Sequence, residues 1–220
     1  GMPHGFYFFP GLFQQEDEAC AEESRLLSGD LVEATRFITM RVRAAIVARK
    51  GARVKLISSD LNKAINEQIG HEFSAMLQYV NIAAYFDGDA LPRLAAHFYR
   101  QAEEEKEHAM RLVHYVVEAG GTVSIPGTPG TRSEFASAAD AVQLALDQEI
   151  TVTQQINALM DLAITKNDHA AQIMLTWFVT EQIEEVSSME SLLSMIKRAG
   201  ESGLLFVEQF LAGAPAPAAV

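Results

Sequence analysis

Glu104-Glu105-Lys106-Glu107-His108 is the stretch that decides how this 220-residue chain folds. Within it, Glu105 and His108 are three residues apart, and on a helix positions i and i+3 project from one face. That face is apolar elsewhere, with Leu91, Leu94, Phe98 and Ala102 before the step and Leu112 and Val116 after it. A carboxylate and an imidazole thus stand where a bundle helix buries leucines. Burying such groups is costly unless each finds a partner, and a metal ion is a partner that suits both. One Glu-x-x-His step alone is equally compatible with a solvated or hydrogen-bonded pair. The reading turns on whether other helices bring matching ligands to the same depth.

Working outward, apolar periodicity predicts four long helices and a short fifth. Ser59 or Asp60 can cap a first helix that runs to about Phe86 on the stripe Leu61, Ile65, Ile69, Met76 and Ala83, with Glu72 and Tyr79 set into it. Asp87-Gly88-Asp89 reads as a tight turn, and the helix carrying Glu105 spans about Leu91 to Ala119, where Gly120-Gly121 ends it. Residues 120–137, with Pro126, Gly127, Pro129 and Gly130, form a long connection. A third helix covers about Ala138 to Lys166 on Ala141, Ala145, Val152, Ile156, Leu159 and Ala163, interrupted by Glu149. Asn167-Asp168 turns the chain and caps a fourth helix to about Ala199. Its stripe of Met174, Phe178, Met189, Leu192 and Ile196 is interrupted by Gln182 and Glu185. Gly200 and Gly203 bracket a break before a short helix, Leu204 to Ala212, and residues 214–220 are expected to be a disordered tail.

Counting from the turns brings the interruptions to one level. Glu72 lies 17 residues before Asp89 and Glu105 lies 16 after it, while Glu149 and Glu185 each lie 18 residues from Asn167. The 18-residue connection can reach ~60 Å, longer than the ~44 Å of a 29-residue helix. It can therefore run the length of the bundle and set the third helix parallel to the second. The expected fold is all-α: a four-helix bundle with one long crossover and a short fifth C-terminal helix, the layout on which di-iron carboxylate proteins are built. Glu72, Glu105, His108, Glu149, Gln182 and Glu185 form a mainly carboxylate set with a single imidazole. Such a set suits iron or manganese better than zinc.

Glu104, Glu181 and Glu184 lie beside these positions, as a solvated face of acidic helices or as part of a third cation position. Tyr79 sits two turns from Glu72, either with a satisfied hydroxyl or as a redox-active neighbour. His71, His97, His114 and His169 have no matching partners and read as surface or core histidines.

Charge agrees with a cation site. Residues 1–53 hold 7 Lys+Arg and 7 Asp+Glu, so residues 54–220 carry the whole net charge of −12. That balance disfavours nucleic acid and favours cations. The only cysteine, Cys20, excludes a disulfide framework or cysteine metal site within one chain, as expected in a reducing cytoplasm. No apolar run approaches the ~18 residues that span a membrane. Residues 1–53 read as an N-terminal extension: an aromatic cluster, Phe6 to Phe13, without the basic segment of a secretory signal, then an acidic patch and an Arg-rich stretch. Arg49-Lys50-Gly51 can be encoded by purine-rich codons like a ribosome-binding site, and Val54 by a GTG start. The natural chain is therefore expected to begin near Val54, with an outer arm that docks on a partner as the rival reading.

The chain resembles the bacterial non-haem ferritins of the actinobacterial kind over about Leu56 to Phe210. The motifs are Asn66-Glu67-Gln68 to Glu72, Gln101-Ala102-Glu103-Glu104-Glu105 to His108, Asp147-Gln148-Glu149, and Trp177-Phe178 to Glu181-Gln182-Ile183-Glu184-Glu185. This resemblance implies a ferritin-like domain over residues 54–213 with a di-iron ferroxidase centre. Glu72, Glu105 and His108 would hold one iron, Glu105 would bridge to a second held with Glu149 and Glu185, and Gln182 would lie beside them. It also implies a third iron site at Glu104, Glu181, Glu184 and Glu185, and a 24-subunit shell with the fifth helix lining four-fold channels. The implied activity is iron storage: paired Fe(II) ions pass electrons to O2 or peroxide, and Fe(III) moves to an acidic cavity as mineral.

Among the alternatives, a bacterioferritin would carry haem between subunits. Its haem-ligating methionine follows the glutamate of the Glu-x-x-His step, and that position here is Lys106, so no haem is expected. A non-catalytic iron buffer would be expected to lack one of the ligands, and none is missing. Rubrerythrin needs cysteines that residues 54–213 lack. Manganese catalase usually has a second Glu-x-x-His where this chain has Gln182-x-x-Glu185.

Overall fold

A computed structural model describes residues 54–213 of the chain. The expectations placed on residues 1–53 and on the tail 214–220 lie outside the described residues. The described part is all-helical: α1 (Ser59–Gly88), α2 (Pro92–Glu118), α3 (Ala138–Thr165), α4 (His169–Ala199) and α5 (Leu204–Gly213), with a 3-10 turn at Glu201–Gly203. None of these helices is long and apolar enough to cross a membrane.

Three helix ends close in the same way. Ala90, Gly120 and Asn167 take left-handed φ values of 58°, 73° and 53°. After each, the next amide reaches back five residues, as Leu91 N to Phe86 O, Gly121 N to Val116 O and Asp168 N to Ala163 O. This is the Schellman closure, which satisfies the last carbonyls of a helix. It also shifts the first turn from its expected place. The helix continues through Gly88, and Ala90 rather than a glycine adopts the left-handed conformation, because Leu91 must donate to Phe86. At its other end α1 is capped by Ser58, whose Oγ accepts from Leu61 N at 3.2 Å, one residue ahead of the expected Ser59 and two ahead of Asp60. Ser137 and Asp168 cap α3 and α4 through Asp140 N and Ala171 N.

The long connection is stitched along α1 by amide side chains. Asn62 pairs with the Thr122 backbone (3.0 and 2.8 Å), Asn66 with Thr122 and Ser124 (2.9 and 2.6 Å), and Gln78 with both backbone groups of Arg132 (2.7 and 2.8 Å). Asn81 adds a contact to Thr131 at 2.6 Å. Between them the strap touches α1 so closely that a Cβ on Gly70 would stand 2.5 Å from Pro126 Cγ. The connection therefore travels from the N-terminal end of α1 to its C-terminal end, and α3 starts where α2 starts. The two are parallel, as the length argument expected.

Packing divides at mid-bundle. One apolar core holds Phe86, Leu94, Phe98, Val142, Met189 and Leu192. The other holds Leu61, Ile65, Leu112, Ile156, Leu175 and Phe178. Between them lies a polar belt.

The first core is closed by α5 through a buried carboxylate. Leu91 offers α2 no side-chain cap. Instead Glu208 of α5 accepts from Arg93 N (2.9 Å) and Leu94 N (2.8 Å). Negative charge at a helix N-terminus is favourable in both charge and hydrogen bonding. Glu208→Ala is expected to lower unfolding stability by about 1–2 kcal/mol and to speed hydrogen exchange at the Leu94 amide. Unchanged exchange there would show that α2 does not depend on this cap.

Candidate metal centre

All four long helices supply the polar belt. α1 presents Glu72, α2 Glu105 and His108, α3 Glu149, and α4 Gln182 and Glu185, and none is more than 5% exposed. The positions that interrupt the four apolar stripes thus converge. Ligand atoms of Glu72, Glu105 and His108 lie within 4.8 Å of one another, as do those of His108, Glu181 and Glu185. His108 belongs to both groups, and its Nδ1 is 3.5 Å from Glu105 Oε2. The imidazole is wedged edge-on against Trp177 and Phe178, with ring centroids at 5.4 and 6.0 Å. The Arg111 guanidinium lies over the Trp177 ring, 3.7 Å from its centroid.

Glu149 is held from both sides. The Tyr79 hydroxyl donates to its Oε1, and Gln182 Nε2 lies 3.4 Å from its Oε2. Thr153 Oγ1 lies 2.9 Å from Gln182 Oε1 and 2.8 Å from the Glu149 backbone oxygen, tying the amide to α3. On α1, Gln68 Nε2 donates to Glu72 Oε1 at 2.9 Å.

Other acidic positions divide. Glu181 joins the second group and is half-buried, and Glu104 is half-buried and bonded to Gln101. Glu184 is exposed and belongs to neither group. His71, His114 and His169 are exposed, and His97 packs edge-on against Phe98 at 5.2 Å. None of these histidines enters a metal-binding group among the described residues.

The electrostatics show what is missing from such a belt. Burial pushes the Glu72 and Glu105 carboxyls well above the usual carboxylate range. The Glu105 charge adds to this at Glu72, and the charges of Glu149 and Glu185 add to it at Glu105. Burial also raises Glu149, opposed by the hydrogen bonds from Tyr79 and Gln182. Glu185 is pushed up to about 8, first by burial and then by the Glu149 charge. The Tyr79 hydroxyl is raised well above its ordinary value by burial beside Glu149, so it stays a donor. Meanwhile Glu72 Oε2 and Glu105 Oε1 are buried without a hydrogen-bond partner. A cation between them would satisfy both orphan oxygens and offset the repulsion of the carboxylates. The donor set, oxygen-rich with one imidazole, fits a metal such as Fe(II).

A family model described as "Ferritin-like domain" matches residues 62–199. The chain belongs to the ferritin family. Ferritin BfrB of Mycolicibacterium smegmatis is 44% identical over 156 residues, which cover 71% of this chain and 86% of the relative. The bacterial non-heme ferritin of Bacteroides fragilis (strain 638R) is 30% identical over 71% of this chain and 98% of its own length. Among solved structures, the open pore ferritin from the hyperthermophilic archaeon Archaeoglobus fulgidus matches with a TM-score of 0.70 at 30% identity, covering 74% of this chain and 100% of that one. The family resemblance carried by the motifs around Glu72, Glu105, Glu149 and Glu185 therefore holds.

Gln68, Gln101, Thr153 and Trp177 were not expected to serve the centre. Gln68 and Gln101 could have been found by helical spacing, since they stand four and three residues from Glu72 and Glu104. Thr153 could not, because its contact with Gln182 crosses between α3 and α4.

These shifts have a sign that can be measured in the metal-free ferritin. Glu185 titrates near 8 when folded against an ordinary 4.5, so the folded state holds the extra proton between those values. Its contribution therefore makes stability fall as pH rises through that window. Metal-free Glu185→Gln protein is expected to lose less thermal stability than wild type between about pH 5 and about pH 8. Parallel melting curves for the two proteins would contradict the assignment.

Proposed function

We propose that this ferritin is a ferroxidase and iron store. Fe(II) is its substrate: one ion is held by Glu72, Glu105 and His108, and a second by Glu105, Glu149 and Glu185, with Gln182 beside them. The observation that carries this reading is the pair of orphaned, buried oxygens on Glu72 and Glu105 next to His108. Each Fe(II) gives up one electron. Dioxygen, taking two electrons and two protons, leaves as hydrogen peroxide; peroxide as oxidant takes the same and leaves as two waters. Pairing the ions lets both electrons pass together, and the carboxylates stabilise the Fe(III) product.

The chain's own residues set up that step. Glu105 feels the charges of Glu149 and Glu185 on one side and meets Glu72 on the other, which suits a bridging ligand. Tyr79 and Gln182 orient Glu149, and Trp177 and Phe178 hold the ring of His108. Protons held by Glu185 near neutral pH leave as iron binds, so the centre exchanges one positive charge for another. A third iron position is proposed at Glu181 and Glu185, with Glu104 and Glu184 as the outer acids toward which product iron moves.

Storage needs a closed container, and we assign the chain to a cytoplasmic 24-subunit shell built from copies of itself. In support, α5 exposes Leu205, Phe206 and Phe210, at 72%, 74% and 60%, an apolar surface that other copies would cover. No haem is proposed. Lys106 is exposed and paired with Glu103 at 2.8 Å, and an ammonium has no lone pair to offer haem iron.

Two measurements test this reading. Glu105→Ala and His108→Ala should slow Fe(II) oxidation at least about 100-fold in stopped flow while the protein stays soluble and helical. Wild-type rates in either variant would count decisively against the centre. The purified protein should show no Soret band, and a stoichiometric one would overturn the non-haem assignment.

A further inference from the structure

Gln68 occupies a position where α1 has no evident need for an amide. It is only 2% exposed, one turn before Glu72, on the face that otherwise carries Ile65 and Ile69. Its Nε2 lies 2.9 Å from Glu72 Oε1, and its Oε1 faces His71 Nδ1 at 3.4 Å. The reversed amide would set oxygen against a carboxylate, so the NH2 must face an ionised Glu72. His71, exposed at the rim, can then donate from Nδ1 to Gln68 Oε1, and the chain of donors runs in one direction from the surface to Glu72.

The consequence is an asymmetry between the two oxygens of Glu72. Oε1 is taken by Gln68, while Oε2 is buried with no partner, on a residue that groups with Glu105 and His108. We propose that Gln68 is a positioning residue that makes Glu72 a one-oxygen ligand through Oε2, keeping a further coordination position open on that metal for the oxidant. This rests on the metal-centre reading above. Supporting hydrogen bonds of this kind orient ligands, and losing one typically weakens metal affinity 10–100-fold. An open position is what separates a reactive metal site from a closed structural one.

Co(II) is a suitable probe, because its visible ligand-field band weakens as coordination rises toward six. Gln68→Leu removes the donor while keeping similar volume, so Glu72 is free to chelate with both oxygens. Gln68→Asn keeps an amide that is one methylene too short to reach Glu72. Both variants should bind Co(II) about 10-fold more weakly than wild type and with a weaker visible band, while their far-UV circular dichroism is unchanged. A wild-type spectrum and affinity in a folded Gln68→Leu protein would overturn the inference, as would loss of folding in both variants, which would make Gln68 a packing residue. If wild-type protein gave no Co(II) band sensitive to His108→Ala, the metal-centre reading itself would fall, an outcome distinct from either.

Discussion

Four glutamates meet in the middle of an apolar bundle, and among the described residues no lysine or arginine pairs with any of them. The rest of the structure follows from that constraint. Carboxylates buried close enough to feel one another's charge cannot all ionise cheaply, so the metal-free centre keeps protons, on Glu72 and Glu105 as well as on Glu185. In the proposed centre a metal ion would exchange places with those protons. The same burial that raises the carboxyls also leaves Glu72 Oε2 and Glu105 Oε1 without partners, so the belt is incomplete in both charge and hydrogen bonding. Held together, these features favour a site shaped for a cation over a core that merely tolerates acids.

Such a belt needs a frame that does not collapse or splay to relieve it. Two apolar cores, one on each side, supply that frame, with each fully buried Leu, Ile or Phe contributing roughly 1.5–3 kcal/mol. The depth of each ligand is set by turns that allow little slack. The closures at Ala90 and Asn167 fix where α2 and α4 begin relative to α1 and α3. The strap pinned by Asn62, Asn66 and Gln78 then joins the two hairpins in parallel register. Close approach at Gly70, two residues and so about half a turn from both Gln68 and Glu72, places the strap on the back of the helix that carries them.

Much of this was legible in the sequence because it is written in one period. Glu72, Glu105, Glu149 and Glu185 interrupt apolar stripes, and counting residues from the turns was enough to bring them to one level. Helix boundaries were legible to within a residue or two for the same reason. What escaped were contacts between elements distant in sequence. The cap on α2 comes from Glu208, more than 100 residues away, and α5 gives no local sign of it. Asn66 and Gln78 look like ordinary polar positions until a strap is laid against them. Gly88 drew the first turn toward itself, since glycine is the usual left-handed residue, yet Ala90 carries that conformation. Glu184 shares its helix with Glu181 and Glu185, but spacing alone does not tell an inward acid from an exposed one when all three are neighbours.

The proposed centre requires two metal ions side by side inside the bundle. Crystals exposed to Fe(II) without oxygen, with diffraction recorded on both sides of the iron absorption edge, test it most directly. Two anomalous peaks are expected about 3.5–4 Å apart, one bounded by Glu72, Glu105 and His108 and the other by Glu105, Glu149 and Glu185. Iron found only on the outer acidic surface, with the belt empty, would contradict it.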